Sequence, residues 1–589
     1  MSRVATYCVT EFTGGLNDTV ALDSLKENEL VAADNVNVFK SGGIEVRYGC
    51  KKLNSASYAA EVDQDIMMYL SNGVALHFVM IDKDLYKVNA TTYAVTKLKD
   101  LARETIGWFV YEDKLFFVDG TGYYVYGYYE FTSASGSEDI AKDDIVKNIA
   151  SSGGGIAGHF YKAKSALGVI ALGTENYANT TNWEDVTDGY VPNDIRDVPV
   201  DGKGVVAGND LTNIKKCTIL EFHPLSYRLF AAGNSDAPTA LYYSEVDNPY
   251  AFISTSILLP TSSAGSIKGL KSFMQSMLVS YERVWMYWDG IEVGTDVEWG
   301  RLPIPTGCLN HNAVALTPYS MTFWGTDGLY IIYPGMLIRD SVVLPTKELY
   351  TKIDDNKVET AVKSMKNPEN VRVVFHDGNV YFAYGTEEDE RNNTVLVLNW
   401  ELKCFVKYTG WQVNDWHITA LGELGFASLN YLLQQDTTSY NDINVTTGEE
   451  KAIEPYAKTV PFKLGSITNA FLQKELRHVY LSAKQYVDED YTSKVSITVG
   501  SDYLDVGPNI ADINLDLIWG REWELKYGFV DLVVLRVESG KNGFRHSVIL
   551  ESDSLDNHWL IYALGFEYVV LDGSEAMAVN APKTAWITD

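Results

Sequence analysis

The chain has 589 residues, 12% of them aromatic, and a formal net charge of −30 at pH 7. A chain of that length is too long to fold around one hydrophobic core, so two or more domains are expected. The tyrosine-rich composition favours strands over helices. The acidity is even, with −8 over residues 454–589 and −22 over the remainder, which argues against a protein that grips nucleic acid. The charge is compatible with a conduit along which DNA slides without binding, and equally with an acidic surface that only keeps the protein soluble.

No apolar run approaches the roughly 18–20 residues that span a bilayer, and the opening MSRVATYCVTEFTGG has no apolar signal segment. We therefore expect a soluble product of the cytosol with no membrane-spanning segment. The five cysteines lack CxxC spacing, which indicates reduced, partly buried thiols. They are Cys8, Cys50, Cys217, Cys308 and Cys404.

Residues 1–60 are predicted to form an N-terminal arm and hairpin. Gly14-Gly15 opens a loop, and residues 25–29 indicate one short helical turn. Residues 35–39 and 44–48 then alternate as two strands joined by a Ser-Gly-Gly turn.

A repeated β-hairpin dominates residues 61–132 and 215–446. Asp-Gly between two alternating apolar runs is typical of a tight turn whose central residues have positive φ. The copies lie at Asp119-Gly120, Asp289-Gly290, Asp327-Gly328 and Asp377-Gly378, with weaker versions at Asp82 and Asp113. Such repetition predicts an all-β fold built on an irregular β-propeller of six or seven blades. The unequal spacing is unlike a regular WD40 array.

Two further regions differ from the blades in composition and sequence pattern. Residues 133–214 are rich in Gly, Ser, Asn and Asp, and we expect a loop-rich insertion with a short helix over residues 139–150, suited to partner contact. After a linker at residues 447–451, the segment 454–589 contains long alternating strands and predicts a C-terminal antiparallel β-sandwich. Within it, residues 471–477 are interpreted as strand.

The sequence shows no arrangement typical of catalysis. There is no HExxH, GxSxG or P-loop motif, and the nine histidines occur singly. Asp488-Glu489-Asp490, Glu184-Asp185 and Asp188 could attract Ca²⁺ but lack the spacing of a dedicated calcium loop. The Gly-rich run at residues 153–158 lacks the Lys of a nucleotide loop. We therefore predict a non-enzyme with no catalytic, cofactor-binding or metal-binding residues and no cofactor.

The hairpin aspartates and the tyrosine-rich run at residues 123–129 each have two interpretations. Sialidase Asp boxes separate Asp from Gly, whereas here the two residues are adjacent, so turn formation accounts for these aspartates. The tyrosines could stack on sugars, but a buried propeller strand accounts for them more simply.

Three passages together resemble the tail hub or nozzle proteins of short-tailed bacteriophages, also called phage stabilisation proteins. They are GGLNDTVALDSLKENELVAADNVNVFKSGGIEVRYGCKKL at residues 14–53, YRLFAAGNSDAPTALYYSEVDNPYAF at residues 227–252, and the order of residues 272–296 and 307–332 before a strand-rich C-terminal module. The resemblance covers most of the chain outside residues 133–210, and the family it points to is not enzymatic.

The resemblance implies a structural virion protein of the tail, made in the host cytoplasm. It implies a homo-oligomeric ring, expected to be a hexamer, that lies below the portal and adaptor proteins and carries tail fibres or a tail tip. Genomic DNA would pass through during ejection without specific binding. The alternatives are a propeller adhesin or receptor-binding tail protein that recognises host glycans, a neck or other tail ring, and a propeller glycoside hydrolase or lyase.

Overall fold

The computed structural model describes residues 4–571 except 71–72, 128–129, 135, 141, 143, 150–153, 188–194, 199–205, 260–264, 289–298, 335–349, 388–390, 466–471, 485–493, 503–510 and 515–531. Strands dominate this part of the chain. Its helices are one short α-helix, Glu359–Lys363, and two 3-10 turns, Ile214–Lys216 and Pro368–Asn370.

Seven units of four antiparallel strands follow one another in the described residues and form the blades of a β-propeller, which confirms the predicted fold class. The first strand of each blade is innermost, because these strands contact one another across neighbouring blades. From innermost to outermost, the strands are Val62–Tyr69, Ala75–Ile81, Asp84–Val88 and Val95–Asp100 in blade 1; Gly107–Tyr111, Lys114–Val118, Tyr123–Tyr126 and Arg196–Asp197 in blade 2; Ile219–His223, Arg228–Ala232, Leu241–Tyr243 and Ile257–Leu258 in blade 3; Ile267–Phe273, Ser276–Tyr281, Trp285–Trp288 and Gly300–Arg301 in blade 4; Val314–Thr317, Ser320–Gly325, Gly328–Ile332 and Tyr350–Lys352 in blade 5; Arg372–His376, Asn379–Tyr384, Thr394–Asn399 and Cys404–Thr409 in blade 6; and Asp415–Ile418, Leu424–Ser428, Tyr431–Asp436 and Gly49–Lys52 in blade 7.

The ring is closed by a strand from the beginning of the chain. Gly49–Lys52 pairs antiparallel with Tyr431–Asp436 and supplies the outermost strand of blade 7. At the inner end of the same junction, Asn414 Nδ2 donates to the carbonyl of Val62 in blade 1 at 2.9 Å. Backbone pairing therefore holds the N-terminal segment to blade 7, and a side-chain hydrogen bond joins blade 7 to blade 1.

The blades have two distinct faces. Because neighbouring strands run in opposite directions, the turns after the first and third strands emerge on one face, here called the 1–2 face. The turns after the second strand and the connections between blades emerge on the opposite face, here called the 2–3 face. Asp377-Gly378 joins the first two strands of blade 6, whereas the Asp327-Gly328 hairpin joins the second and third strands of blade 5. The repeated hairpin therefore marks both faces.

The turn geometry matches the prediction at some copies only. Asp377 and Gly378 have φ values of 42° and 72°, the primed conformation. The pair at residues 82–83 adopts it without glycine, with φ values of 46° and 68°. Asp119 instead begins a four-residue loop and accepts hydrogen bonds from the N–H groups of Thr121 and Gly122. Asp289-Gly290 lies outside the described residues.

The insertion leaves the third strand of blade 2 and returns as its outermost strand, Arg196–Asp197. The predicted helix over residues 139–150 is wrong, because this stretch contains the strands Ser137–Ile140 and Ile145–Lys147. Ile140 and Val146 are fully buried in a small core with the aromatic rings of Tyr161 and Trp183, which strand pairing permits. The other strands of the insertion are Glu130–Thr132, Phe160–Ala163, Gly168–Ala171 and Trp183–Asp185.

The C-terminal strands form two facing sheets that include strands from the N-terminal segment. One sheet has Lys474–Lys484 at its centre, between Leu532–Gly543 and Leu560–Val570. The other contains Tyr456–Thr459, His546–Glu551, Lys494–Ser501 and Ala511–Asn514. Residues 474–477 are therefore strand, as predicted.

Residues 4–46 are part of this sandwich. Val4–Val9 and Ile44–Val46 pair with Leu560–Val570, and Glu29–Asp34 pairs with Tyr456–Thr459. Asp34 also pairs with Lys407 of blade 6, so one sheet runs from the propeller into the sandwich. The remaining N-terminal strands are Gly15–Leu16 and Val36–Val38.

Two local predictions near the ends of the propeller are corrected by these pairings. The predicted helical turn at residues 25–29 is an irregular turn that ends in the strand Glu29–Asp34. The predicted linker at residues 447–451 lies largely in the loop of a hairpin formed by Asn441–Ile443 and Glu450–Ala452.

Candidate functional site

A polar cavity of about 1040 Å³ lies on the propeller axis near the 2–3 face. The beginnings of the inner strands and the connections between blades line it, including Arg103, Asn310, His311 and Arg372. Its charged side chains are mixed, in contrast to the acidic chain as a whole. They are Lys83, Arg103, Lys268, Lys271 and Arg372 on the basic side and Glu104, Glu221 and Glu369 on the acidic side.

The deepest charges of this cavity are held by neighbouring blades. Lys271 Nζ lies 3.4 Å from Glu221 Oε2, and Arg372 Nε lies 3.6 Å from Asp415 Oδ1. Burial together with the nearby Lys271 and Arg372 lowers the pKa of His311 to about 3, so this imidazole is neutral at pH 7. The cavity can accept a polar ligand, but its cations Lys271 and Arg372 already pair with Glu221 and Asp415.

The 1–2 face carries a series of exposed apolar side chains. Tyr319 is 75% exposed and Leu421 is 86% exposed, each in a turn between the first two strands of a blade. The series, here called the apolar rim, consists of Tyr69, Val74, Tyr227, Met274, Leu316, Tyr319 and Leu421. The insertion begins and ends on the same face, since it connects the third and fourth strands of blade 2. Exposed apolar groups gathered on one face are typical of an interaction surface.

A cluster of ionisable side chains lies at the junction of blades 7 and 1. Asp65 of the innermost strand of blade 1 contacts His77 Nε2 at 2.6 Å and His417 Nδ1 at 2.7 Å. All three side chains are buried. Burial by itself raises the pKa of Asp65, but the two imidazoles outweigh it and hold that pKa well below its usual range. Burial lowers the pKa of His417, but Asp65 outweighs it and raises that pKa.

The residues singled out from the sequence are dispersed. Tyr123 and Tyr126 of the tyrosine-rich run are buried, and the hydroxyl of Tyr123 donates to the carbonyl of Pro249. Asp185 accepts from His159 Nδ1 at 2.7 Å on the surface of the insertion. Residues 188 and 488–490 lie outside the described residues. Cys8 is exposed and the other four cysteines are buried.

Sequence inspection missed Asp65, His77 and His417 because no local motif connects them. Asp65 and His77 lie on adjacent strands twelve positions apart, and His417 comes from the last blade. No helix among the described residues has the length and apolar character needed to cross a membrane.

Comparisons with known proteins show likeness of fold at low similarity. No family model and no curated protein matches the chain. A chain of the mitotic checkpoint complex is 11% identical, with 66% of this chain and 97% of that chain covered and a TM-score of 0.34. The Pan2 WD40 domain of Neurospora crassa is 7% identical, with 67% of this chain and 96% of that chain covered and a TM-score of 0.35. PorZ, a surface component of the type-IX secretion system of Porphyromonas gingivalis, is 10% identical, with 73% of this chain and 44% of that chain covered and a TM-score of 0.32. Likeness at this level carries no information about function.

Proposed function

We propose that this protein is a structural subunit of a bacteriophage tail that assembles as a ring-shaped nozzle or hub around the path of the ejected DNA. The sequence resemblance of residues 14–53, 227–252, 272–296 and 307–332 to tail hub proteins supports the viral role. The apolar rim on the 1–2 face is the structural observation that carries the assembly part of the proposal, because subunit interfaces bury aromatic and aliphatic side chains.

Two of the passages that carry the resemblance connect parts of the fold. Residues 14–53 supply strands to both the sandwich and blade 7. Residues 227–252 join blade 3 to blade 2, where the hydroxyl of Tyr111 donates to Asp247 and the N–H of Asp210 donates to the carbonyl of Phe252.

The proposed DNA path runs between subunits and not along the propeller axis. The axial cavity, of about 1040 Å³, is lined by five Lys and Arg side chains, whereas the proposed path requires a surface along which DNA slides without binding. A chain with a net charge of −30 repels phosphate over most of its surface. We expect the bore of the assembled ring to be net negative, and a bore lined with Lys and Arg would contradict this part of the proposal.

Mass photometry and negative-stain electron microscopy of the purified protein test the assembly. We expect rings of about six copies around a central hole, in equilibrium with monomer, because symmetric homo-oligomers are the usual form of such assemblies. Tyr319→Glu and Leu421→Glu place a charge in the apolar rim and are expected to shift the equilibrium toward monomer. Leu259→Glu is the matched control, since Leu259 is 63% exposed but follows the outermost strand of blade 3.

The competing outcome is a protein that remains monomeric at every concentration tested and binds oligosaccharides on a glycan array. That result would favour the adhesin hypothesis. Equal loss of rings in Leu259→Glu and Tyr319→Glu would show that the 1–2 face is not the interface.

A further inference from the structure

Three ionisable side chains, Asp65, His77 and His417, meet at the junction between the first and last blades. Asp65 and His77 lie on the first two strands of blade 1, where Met67 is paired with His77. Side chains two positions apart on a strand share a face, so Asp65 and His77 are diagonal neighbours on the side toward blade 7. His417 reaches the same point from the innermost strand of blade 7.

The three side chains are close together and shielded from water. One ligand atom from each lies within 4.8 Å of the other two. The exposed fractions of the side chains are 0% for Asp65, 9% for His77 and 1% for His417. The centroids of the two imidazole rings are 5.0 Å apart, and the ring planes are tilted by 46°.

One half of the cluster lacks an aligned hydrogen bond. Asp65 Oδ2 and His417 Nδ1 are 2.7 Å apart, yet neither atom has a hydrogen-bond partner of suitable geometry. Buried charges in proteins are either paired with hydrogen bonds or coordinate metals, because an unsatisfied buried polar atom is costly. A cation bound by both atoms would satisfy each of them without requiring a proton on the line between them.

We propose that Asp65, His77 and His417 bind one Zn²⁺ ion that links blade 1 to blade 7. Two imidazoles and a carboxylate form a donor set that suits Zn²⁺, and three protein ligands leave a fourth position for water. Metal–ligand distances of about 2.0–2.2 Å imply ligand atoms about 3.3 Å apart in a tetrahedral site. The contact of 2.7 Å between Asp65 Oδ2 and His417 Nδ1 therefore has to widen by about 0.6 Å when both atoms bind the ion.

The surroundings hold His417 in the required place. An added Cβ at Gly425 would lie 2.0 Å from His417 Nε2, so only glycine at this position leaves room for the imidazole. The N–H of Asp65 donates to Asp415 Oδ2 at 3.1 Å, which ties the aspartate to the strand that bears His417. An ion at this point would join the inner strands of the two blades, while Gly49–Lys52 joins blade 7 to the N-terminal segment at the outer edge.

Metal analysis of the full-length protein tests the proposal. A Cys8→Ser background removes the exposed thiol, which could bind Zn²⁺ independently. After chelation, incubation with Zn²⁺ and desalting, we expect about one zinc per chain by mass spectrometry and an increase in the melting temperature. His77→Gln and Asp65→Asn are expected to weaken zinc binding by at least about 100-fold, since losing even an outer-sphere partner costs 10–100-fold. His159→Gln, at the surface pair with Asp185, should bind as the parent does.

A spectroscopic measurement on the parent keeps the test independent of how the variants fold. Co²⁺ substituted for Zn²⁺ should give the visible absorption of a tetrahedral site, and X-ray absorption of the zinc form should show only nitrogen and oxygen neighbours. No retained zinc, sulfur neighbours, or equal retention by His77→Gln and the parent would each overturn the proposal.

Discussion

Replacing Arg47 with alanine should be among the most destabilising single substitutions in this protein. Arg47 is fully buried and all five of its N–H donors are used. Two bonds go to the carboxylate of Asp442, one to Asn35 Oδ1 at 2.9 Å, and one each to the carbonyls of Tyr48 and Thr409 at 3.0 Å. The side chain therefore connects the N-terminal segment to blade 6 and to the hairpin that follows blade 7.

The expected loss is about 3–5 kcal/mol, the usual cost of removing one partner of a buried ion pair. Asp442 would remain buried with the indole N–H of Trp411, which donates at 3.0 Å, as its main hydrogen bond. The guanidinium also lies over the rings of Trp411 and Tyr408, at 4.9 and 5.1 Å from their centroids, so packing is lost with the charge. Burial alone would lower the pKa of Arg47, but Asp442 outweighs it and raises that pKa, which keeps the pair ionised.

Urea denaturation followed by tryptophan fluorescence measures the effect. Lys40→Ala is the matched control, because Lys40 pairs with Glu401 while the two side chains are 76% and 64% exposed, and such exposed pairs contribute little to stability. An Arg47→Ala, Asp442→Ala double-mutant cycle should show a coupling energy of about 1–3 kcal/mol. If Arg47→Ala proves no more destabilising than Lys40→Ala, the described role of this side chain is wrong.

Three further predictions concern single positions and the insertion. Burial lowers the pKa of His546 to about 4, so the unfolded chain binds a proton more readily than the folded one. The free energy of unfolding should therefore fall as the pH decreases from about 6.5 to 4. His546→Phe should flatten this part of a profile of melting temperature against pH, whereas His159→Phe should not. Gly49→Ala should weaken the closure of blade 7 and lower the melting temperature, because the new Cβ would lie 1.9 Å from the carbonyl oxygen of Asn441. Replacing residues 127–195 by a short glycine turn should leave the propeller folded, as measured by circular dichroism, because the strands that flank the insertion are hydrogen-bonded neighbours. Loss of soluble protein would contradict the view that the insertion folds independently.

The hairpin pattern predicted the blades because its information is local. A tight turn between two alternating strands depends on a few neighbouring residues, and the primed turn at Asp377-Gly378 has the predicted φ values. The strand pattern of residues 454–589 likewise predicted the sandwich. The helix over residues 139–150 was wrongly predicted because Ile140, Ile145 and Val146 are buried by strand pairing within the insertion, which outweighs local propensity.

The sequence by itself determined that the chain is all-β, acidic throughout and built from repeated hairpins, because composition and turn chemistry act over short distances. Tertiary structure decided how the ring closes, since Gly49–Lys52 pairs with strand Tyr431–Asp436 from the other end of the propeller. It also decided that the N-terminal segment completes the sandwich and that Asp65 and His77 meet His417. Pairings between such distant positions follow from the packing of whole blades, and no local sequence pattern predicts them.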